Sequence, residues 1–326
     1  MVPEIVDIEG LATNDRRALD RVAGALERPA RTLGMFHIVG HGLEPEALAQ
    51  FEAAMHALFA LPGAVKQRMR RSRENAWGYY DEELTKNRPD WKEVFDYGAE
   101  RTPREAAATH SNGTNRWPTG EPEIRRALVR HHTECVRLGR RLLTALSVSL
   151  GFAPDRLAPF FDGDTSFVRL NRYPVCDEPA AADAPPLPDE GHLGVHPHSD
   201  AGALTILFQD SVASLQVEAD GGFALIEPEA GALTVNLGDM LRVWSNDRYR
   251  SPVHRVLAQR DRERFSAPFF YNPRYDTVCA PILDGERTDP PRFRPVSWAH
   301  FRDQRSAGDF ADYGDEIQID DYLVSV

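Results

Sequence analysis

The segments HSDAGALTILFQD (198–210), SLQVEA (214–219) and ALTVNLGD (232–239) decide the fold class of this chain. Each contains a strand-length run that is rich in β-branched and other apolar residues. The turn-forming residues DGG (220–222) and EAG (229–231) lie between such runs. Many short strands at this spacing predict a β-sandwich or a jelly roll.

The same pattern continues outward from these segments. SFVRLNRY (166–173) and RFSAPFFYN (264–272) are further predicted strands, and GD (238–239) is a further predicted turn. On the N-terminal side, FHIVGHG (36–42) predicts a short strand that ends in a turn. The segment 176–194 contains several prolines, which predicts a long loop, and the sequence leaves open whether this loop is a lid.

Helical spacing of apolar residues distinguishes the first half of the chain. It predicts a helix over residues 44–60, with Pro62 as its stop, and a long helix over residues 121–150, with Thr119 as its N-cap. A shorter helix is predicted around residues 297–304. We therefore expect a mainly β protein with flanking helices and a jelly-roll core.

The predicted organisation is one compact unit with two parts. Residues 1–120 would form an N-terminal helical or mixed region, and residues 121–326 a jelly-roll core with a C-terminal extension. The 326 residues are ample for a large hydrophobic core.

Composition excludes several classes of function. The formal net charge is −12, which argues against a nucleic-acid backbone or an anionic membrane as the main partner. Three scattered cysteines are too few for a disulfide framework or a cysteine-based zinc site. The N-terminus lacks the features of a signal peptide, and no apolar run approaches the length of a membrane span. We expect a cytoplasmic protein with a small-molecule partner, and the sequence leaves its oligomeric state open.

A metal site is predicted from the pair His198 and Asp200. The chain has two His-x-acid pairs, about as many as chance would give for 11 histidines. The other pair, His132 and Glu134, lies in the predicted long helix, where residues two apart point to nearly opposite sides. His198 and Asp200 lie at the entry to a predicted strand, where residues two apart share a face. This pair can therefore reach one metal ion.

Two histidines and one carboxylate would leave half of the coordination sphere of Fe(II) open for reactants. His254 is the preferred third ligand because it lies in the same strand-rich half, and His196 is its rival. Ten residues after His254, Arg264 and Ser266 would share one face of a strand. A guanidinium with a hydroxyl beside it suits the far carboxylate of a 2-oxo diacid that chelates the metal with its other end.

A family resemblance rests on these residues and on the motifs around them. The sequence resembles the isopenicillin N synthase-like branch of the Fe(II)/2-oxoglutarate-dependent dioxygenases. The matching stretches are GMFHIVGHG (34–42), GTNRWP (113–118), RLNRYP (169–174), HSDAGALTILFQD (198–210), VNLGDMLRVWSNDRYRSPVHRV (235–256) and RFSAPFFYNP (264–273). The resemblance covers most of the chain and implies a double-stranded β-helix core.

The resemblance also implies roles for individual residues. It assigns His198, Asp200 and His254 to iron, and Arg264 and Ser266 to the far carboxylate of 2-oxoglutarate. Further contacts to 2-oxoglutarate are implied for Asn171 and Tyr173, and no catalytic residue is expected beyond the metal ligands. Weaker candidates for substrate contact are Phe270, Tyr79 and His196.

The function that this implies is the oxidation of an unactivated C–H bond of a small metabolite, as in secondary metabolism. The reaction would use O2 and release succinate and CO2, and its outcome would be hydroxylation, desaturation or ring closure. Two alternatives stay open. One is an isopenicillin N synthase-like oxidase that does not use 2-oxoglutarate, because such relatives share the Arg-x-Ser pair. The other is a β-barrel binding protein without catalysis.

Overall fold

Helices and short strands alternate along the chain in the computed structural model, which describes residues 3–13, 15–72, 74–108, 113–283, 289–308 and 314–324. The helices are α1 (Arg16–Thr32), α2 (Pro45–Phe59), α3 (Gly63–Arg68), α4 (Pro103–Ala108), α5 (Pro122–Ser149), α6 (Asp239–Trp244) and α7 (Trp298–Gly308). The strands are β1 (Ile5–Asp7), β2 (Met35–Val39), β3 (Gly78–Tyr80), β4 (Leu84–Thr85), β5 (Arg88–Pro89), β6 (Glu93–Gly98), β7 (Phe167–Tyr173), β8 (Leu193–His198), β9 (Leu204–Gln209), β10 (Leu215–Ala219), β11 (Gly222–Leu225), β12 (Leu233–Leu237), β13 (His254–Leu257), β14 (Arg264–Tyr271), β15 (Val278–Cys279) and β16 (Val296–Ser297).

Two sheets form the centre of the molecule. The major sheet has the strand order β1-β2-β12-β9-β14-β7-β6-β3, and the minor sheet has the order β11-β10-β13-β8. Apolar side chains from both sheets meet in one buried cluster, in which Tyr173 and Leu207 of the major sheet join Val195, Leu215 and Val256 of the minor sheet. The two sheets therefore pack face to face. This arrangement confirms the predicted mainly β sandwich with flanking helices.

The helices cover the other face of the major sheet. Phe51 and Met55 of α2 and Leu138 and Leu142 of α5 are buried in the largest apolar cluster, together with residues of β9 and β14. Their spacing puts them on one face of each helix. The two long predicted helices are confirmed to within a residue or two at each end.

Two details of the prediction were wrong. Helix α5 has Glu121 as its N-cap residue and no side-chain capping bond, so Thr119 does not cap it. Pro122 explains this start, because proline fixes a helical φ and has no N–H that would need a cap. The residues 238–239 begin α6 instead of forming a turn between strands, whereas Asp220 and Gly221, both with positive φ, do form the turn of the β10–β11 hairpin.

Both parts of the predicted division contribute strands to the major sheet. Strand β2 pairs with β12 near one end of the sheet, and β6 pairs with β7 near the other. The boundary at residue 120 stays a prediction, but each of these two strand pairs joins a strand before the boundary to a strand after it.

The loop 176–194 is fixed to the outer side of the minor sheet. Arg255 alternates with the inward-facing His254 and Val256, so its fully buried side chain lies on the opposite face. Its guanidinium donates hydrogen bonds to the carbonyl oxygens of Pro185 (2.9 Å) and Ala182 (3.2 Å). Among the described residues, none from 176 to 192 lines the two cavities described below.

Candidate active site

Two histidines are brought together by the register of the minor sheet. His198 is the last residue of β8, His254 is the first residue of β13, and the two residues face each other directly in the antiparallel ladder. Directly opposed residues project their side chains from the same face. The two imidazole rings therefore lie side by side, with their centroids 4.4 Å apart.

Asp200 completes the cluster from the loop after β8. The sequence placed His198 and Asp200 together at the entry to a strand, but β8 ends at His198 and Asp200 lies beyond it. Asp200 Oδ1 is 3.7 Å from Nε2 of His198 and 3.7 Å from Nε2 of His254. Potential ligand atoms of the three residues all lie within 4.8 Å of one another, and no other such group of histidine, cysteine or acidic residues occurs within the described ranges.

Asp239, the first residue of helix α6, forms hydrogen bonds with the loops beside Asp200 and His254. The backbone N–H of Asp239 donates to the carbonyl oxygen of Asp200 (2.8 Å), and its carboxylate accepts hydrogen bonds from the hydroxyls of Ser199 (3.1 Å) and Ser251 (2.7 Å). A Cβ atom at Gly238 would lie 2.3 Å from the carbonyl oxygen of Gly202, so the close approach requires glycine there. The sequence pattern did not reveal this role for Asp239.

The hydrogen bonds of the two rings leave Nε2 of each ring available for a metal. Nδ1 of His198 lies 2.8 Å from the carbonyl oxygen of His196, and Nδ1 of His254 lies 3.1 Å from that of Pro252. A carbonyl can only accept, so each Nδ1 carries the proton. Burial and the neighbouring His254 lower the pKa of His198 to about 3, so this ring is neutral at pH 7.

Asp200 is held as a charged carboxylate. Its Oδ2 accepts hydrogen bonds from Thr205 Oγ1 (2.5 Å) and Asn236 Nδ2 (2.7 Å), which leaves Oδ1 directed at the two rings. Burial alone would raise the pKa of Asp200. The two histidines and these hydrogen bonds outweigh burial and lower it. Sequence reasoning missed Thr205 and Asn236, which face each other across β9 and β12.

The four residues implied for 2-oxoglutarate form one block across β7 and β14. Arg264 lies opposite Tyr173, and Ser266 lies opposite Asn171. Arg264 donates to Ser266 Oγ (3.3 Å) and to Gln209 Oε1 (2.9 Å), and its guanidinium lies 5.0 Å from the ring centre of Tyr173. Gln209 is a partner that sequence reasoning did not find.

The guanidinium of Arg264 fits a site for an anion. Its side chain is almost fully buried, its Nε has no hydrogen-bond partner, and it forms no ion pair with an acid of the described residues. A buried charge without a counter-charge is unfavourable, so a bound carboxylate would complete it. One cavity, here called the inner cavity, is lined by this four-residue block and by His198, Asp200 and His254.

A second cavity, the outer cavity, adjoins the metal cluster from another side. His198, Asp200 and Phe270 line both cavities, and the contact of Phe270 with a substrate stays a prediction. Further residues of the outer cavity come from distant parts of the chain. They include Trp77, Leu84, Thr85, Phe167, Asn272, Trp298, Arg302, Arg305 and Glu316.

The other two candidates for substrate contact have different partners. His196 Nδ1 lies 3.0 Å from Asp90 Oδ1, and the Tyr79 hydroxyl donates to Glu93 (2.8 Å). Neither His196 nor Tyr79 is among the described residues that line the two cavities. Their substrate roles stay untested predictions, and these contacts do not favour them.

A buried ion network lies beside both cavities. It consists of the cations Arg71, Lys92 and Arg169 and the acids Glu83, Asp90 and Asp96. Glu83 pairs with all three cations at 2.6 to 2.8 Å and is 2 % exposed. Burial would raise the pKa of Glu83, but the three cations lower it well below its usual range.

Two family models match the chain. The model of the 2OG-Fe(II) oxygenase superfamily matches residues 165–273, and the model of the non-haem dioxygenase in morphine synthesis N-terminal region matches residues 3–120. Within the described ranges, no helix combines the length and the apolar character needed to cross a membrane.

Similar proteins include plant oxygenases. Jasmonate-induced oxygenase 2 of Arabidopsis thaliana is 31% identical over 304 residues, which are 91% of this chain and 77% of that protein. Gibberellin 20 oxidase 1-B of Triticum aestivum is 32% identical over 304 residues, 92% of this chain and 80% of that protein.

Solved structures of similar proteins extend the comparison to the fold. A crystal structure of JOX2 in complex with 2OG, Fe and JA has a TM-score of 0.80 and 28% identity, and it covers all of this chain and 90% of that chain. The dioxygenase for auxin oxidation in rice has a TM-score of 0.74 and 25% identity, over 99% of this chain and the whole of that chain.

Proposed function

The chain belongs to the 2OG-Fe(II) oxygenase superfamily as an Fe(II)/2-oxoglutarate-dependent dioxygenase of small molecules, and from that premise we propose that it oxidises an unactivated C–H bond at the His198–Asp200–His254 cluster. Membership confirms the predicted jelly-roll fold class and the predicted cofactors, Fe(II) and 2-oxoglutarate. It also decides against the two alternatives, an oxidase independent of 2-oxoglutarate and a binding protein without catalysis.

The three clustered side chains would hold the iron. Nε2 of His198, Nε2 of His254 and Oδ1 of Asp200 are the free donor atoms, and two imidazole rings with one carboxylate suit Fe(II). When bound, iron and 2-oxoglutarate supply the activation of O2 and the oxidation of the C–H bond, with release of succinate and CO2. The protein positions the metal ligands. Thr205 and Asn236 hold the Asp200 carboxylate by hydrogen bonds, and Asp239 fixes the loops around it.

Arg264 and Ser266 would bind the far carboxylate of 2-oxoglutarate, and Asn171 and Tyr173 would line the same pocket. The observation that carries the proposal is that this block and the metal cluster line one inner cavity. A diacid with a 2-oxo group can span them, because it chelates a metal at one end and presents a carboxylate at the other.

The substrate would enter through the outer cavity. Phe270 lines both cavities, and its aromatic ring suits contact with an apolar part of the substrate. Hydroxylation is the proposed outcome, and the mass of the product distinguishes it from desaturation or ring closure, since hydroxylation adds one oxygen and the others remove two hydrogens.

The test is the formation of succinate from 2-oxoglutarate by the full chain, with and without Fe(II). We expect iron-dependent succinate from the natural chain and a loss of at least about 100-fold in Asp200→Asn, because the substitution removes the only charged ligand of the cluster. Asp189→Asn, at an exposed position, is the matched control and should retain full activity. Succinate formation by D200N at the natural rate would overturn the assignment of the cluster.

A further inference from the structure

The outer cavity has more cationic than anionic side chains in its lining. The cations are Arg71, Lys92, Arg169, Arg302 and Arg305, and the acids are Asp96, Asp200 and Glu316. The first three cations belong to the buried ion network, in which Glu83, Asp90 and Asp96 neutralise them. The protein itself therefore provides these cations with acidic partners.

Arg305 is also fully engaged by the protein. Its Nε pairs with Glu316 (2.7 Å), and its Nη2 donates to the carbonyl oxygen of Ser199 (2.8 Å) in the loop beside Asp200. Arg305 thus ties the C-terminal segment to the metal loop, and its charge is balanced where it lies.

Arg302, one turn earlier on α7, differs from these four cations. Its Nη1 is inaccessible to solvent and has no hydrogen-bond partner, and none of the described residues forms an ion pair with it. Its guanidinium carbon lies 5.8 Å from the ring centre of Tyr275. Burial lowers the pKa of Arg302, and the charge of the neighbouring Asp303 offsets this effect only in part. Arg302 as a whole is half-buried, but leaving the inaccessible Nη1 of its guanidinium without a partner is unfavourable, so this group points to an anionic ligand.

The rest of the outer cavity defines the other part of that ligand. Aromatic side chains form much of its wall, and Trp77, Phe167 and Phe270 pack in series, with ring centres 5.8 Å and 4.8 Å apart. His198 and Asp200 line the same cavity. A ligand that fills it would have an apolar body against the aromatic wall and an anionic group at Arg302.

We propose that Arg302 binds the carboxylate of the substrate, and that the substrates are therefore apolar carboxylic acids. This inference rests on the proposed function, because it takes the outer cavity as the substrate site. A planar guanidinium matches a carboxylate with paired hydrogen bonds, whereas an amide or ester of the same shape offers no charge.

The first test measures binding by calorimetry without O2, in the presence of Fe(II) and saturating 2-oxoglutarate, so that the inner cavity is occupied. The probes are 3-phenylpropionate, 4-phenylbutyrate and cyclohexylacetate, each compared with its primary amide. We expect at least one acid to bind about ten-fold more tightly than its amide, and Arg302→Met to remove that preference. Arg126→Met, a charge removal at an exposed position of α5, should retain it. No preference for any acid in the natural chain, or an unchanged preference in R302M, would overturn the proposal.

A second measurement separates ligand binding from a structural role. If the charge of Arg302 is neutralised only by a bound ligand, R302M should have an unfolding temperature at or above that of the natural chain when no probe is present. A fall of more than about 4 °C would identify Arg302 as a structural residue and reject the proposal. Succinate formation without added substrate distinguishes the two levels of inference. Its absence in the natural chain counts against the proposed function, whereas its presence with no preference for acids counts only against the role of Arg302.

Discussion

The inner cavity and the buried ion network contain similar residue types but satisfy their charges differently. Arg264 in the inner cavity is held by the neutral groups of Ser266 and Gln209, whereas Glu83 in the network pairs with three cations. In the inner cavity the charge of Arg264 is thus left to be neutralised by a ligand, whereas the cations and acids of the network neutralise one another. Substitutions in the first should change ligand binding, and substitutions in the second should change folding stability.

The largest expected effect is in the network. Glu83→Gln keeps the shape of the side chain but leaves three buried cations short of one acid. We expect it to lower the free energy of unfolding by about 3–5 kcal/mol, as measured by urea denaturation, because an uncompensated buried charge is strongly destabilising. Glu263→Gln is the control, since Glu263 is 44 % exposed where it pairs with Arg172, and it should cost less than about 1 kcal/mol. Equal stability losses in both variants would break the contrast.

The pH dependence of folding stability gives a second test of the ion network. The pKa of Glu83 in the folded chain is below its ordinary value, because the cations Arg169, Lys92 and Arg71 outweigh the effect of burial. Its contribution to stability is therefore complete above the unfolded pKa of about 4.3 and is lost as pH falls through and below that value. The stability difference between the natural chain and E83Q should shrink as urea denaturation is repeated from pH 6 down to pH 3. A difference that stays constant would contradict the ion-pair origin of the effect.

In the inner cavity, Arg264→Lys should affect ligand binding and little else. Lysine keeps the charge but loses the planar pair of donors, so the KM for 2-oxoglutarate should rise about 10- to 100-fold. Iron affinity and the free energy of unfolding should stay unchanged, because Arg264 has no acidic partner among the described residues. Arg172→Lys, in the neighbouring strand, replaces an arginine that pairs with Glu93 and Glu263 and should leave this KM unchanged. A loss of stability in R264K without a rise in KM would make Arg264 a structural residue.

The same contrast explains what the sequence could predict. Residues two apart on a strand share a face, and this rule led to Arg264 and Ser266, which the structure places together in the inner cavity. The rule was only partly right for Asp200, which lies beyond the end of β8. The outer cavity combines Trp77 and Arg302, more than 200 positions apart, and no local period relates them. Such residues become neighbours through tertiary packing, which the periodicity of a sequence does not predict.

The smallest effect is expected one layer away from the metal. Thr205→Val keeps the side-chain shape and removes one of the two hydrogen bonds to Asp200 Oδ2, while Asn236 still donates the other. Iron affinity in an anaerobic Fe(II) titration should fall about 10-fold, at the low end for residues that orient metal ligands. Thr144→Val removes a threonine whose hydroxyl bonds to its own helix, and it should leave iron affinity unchanged. If T205V bound iron as tightly as T144V, the backbone bond from Asp239 to Asp200 would suffice to position the carboxylate, and the inner cavity would depend on its loops more than on its strands.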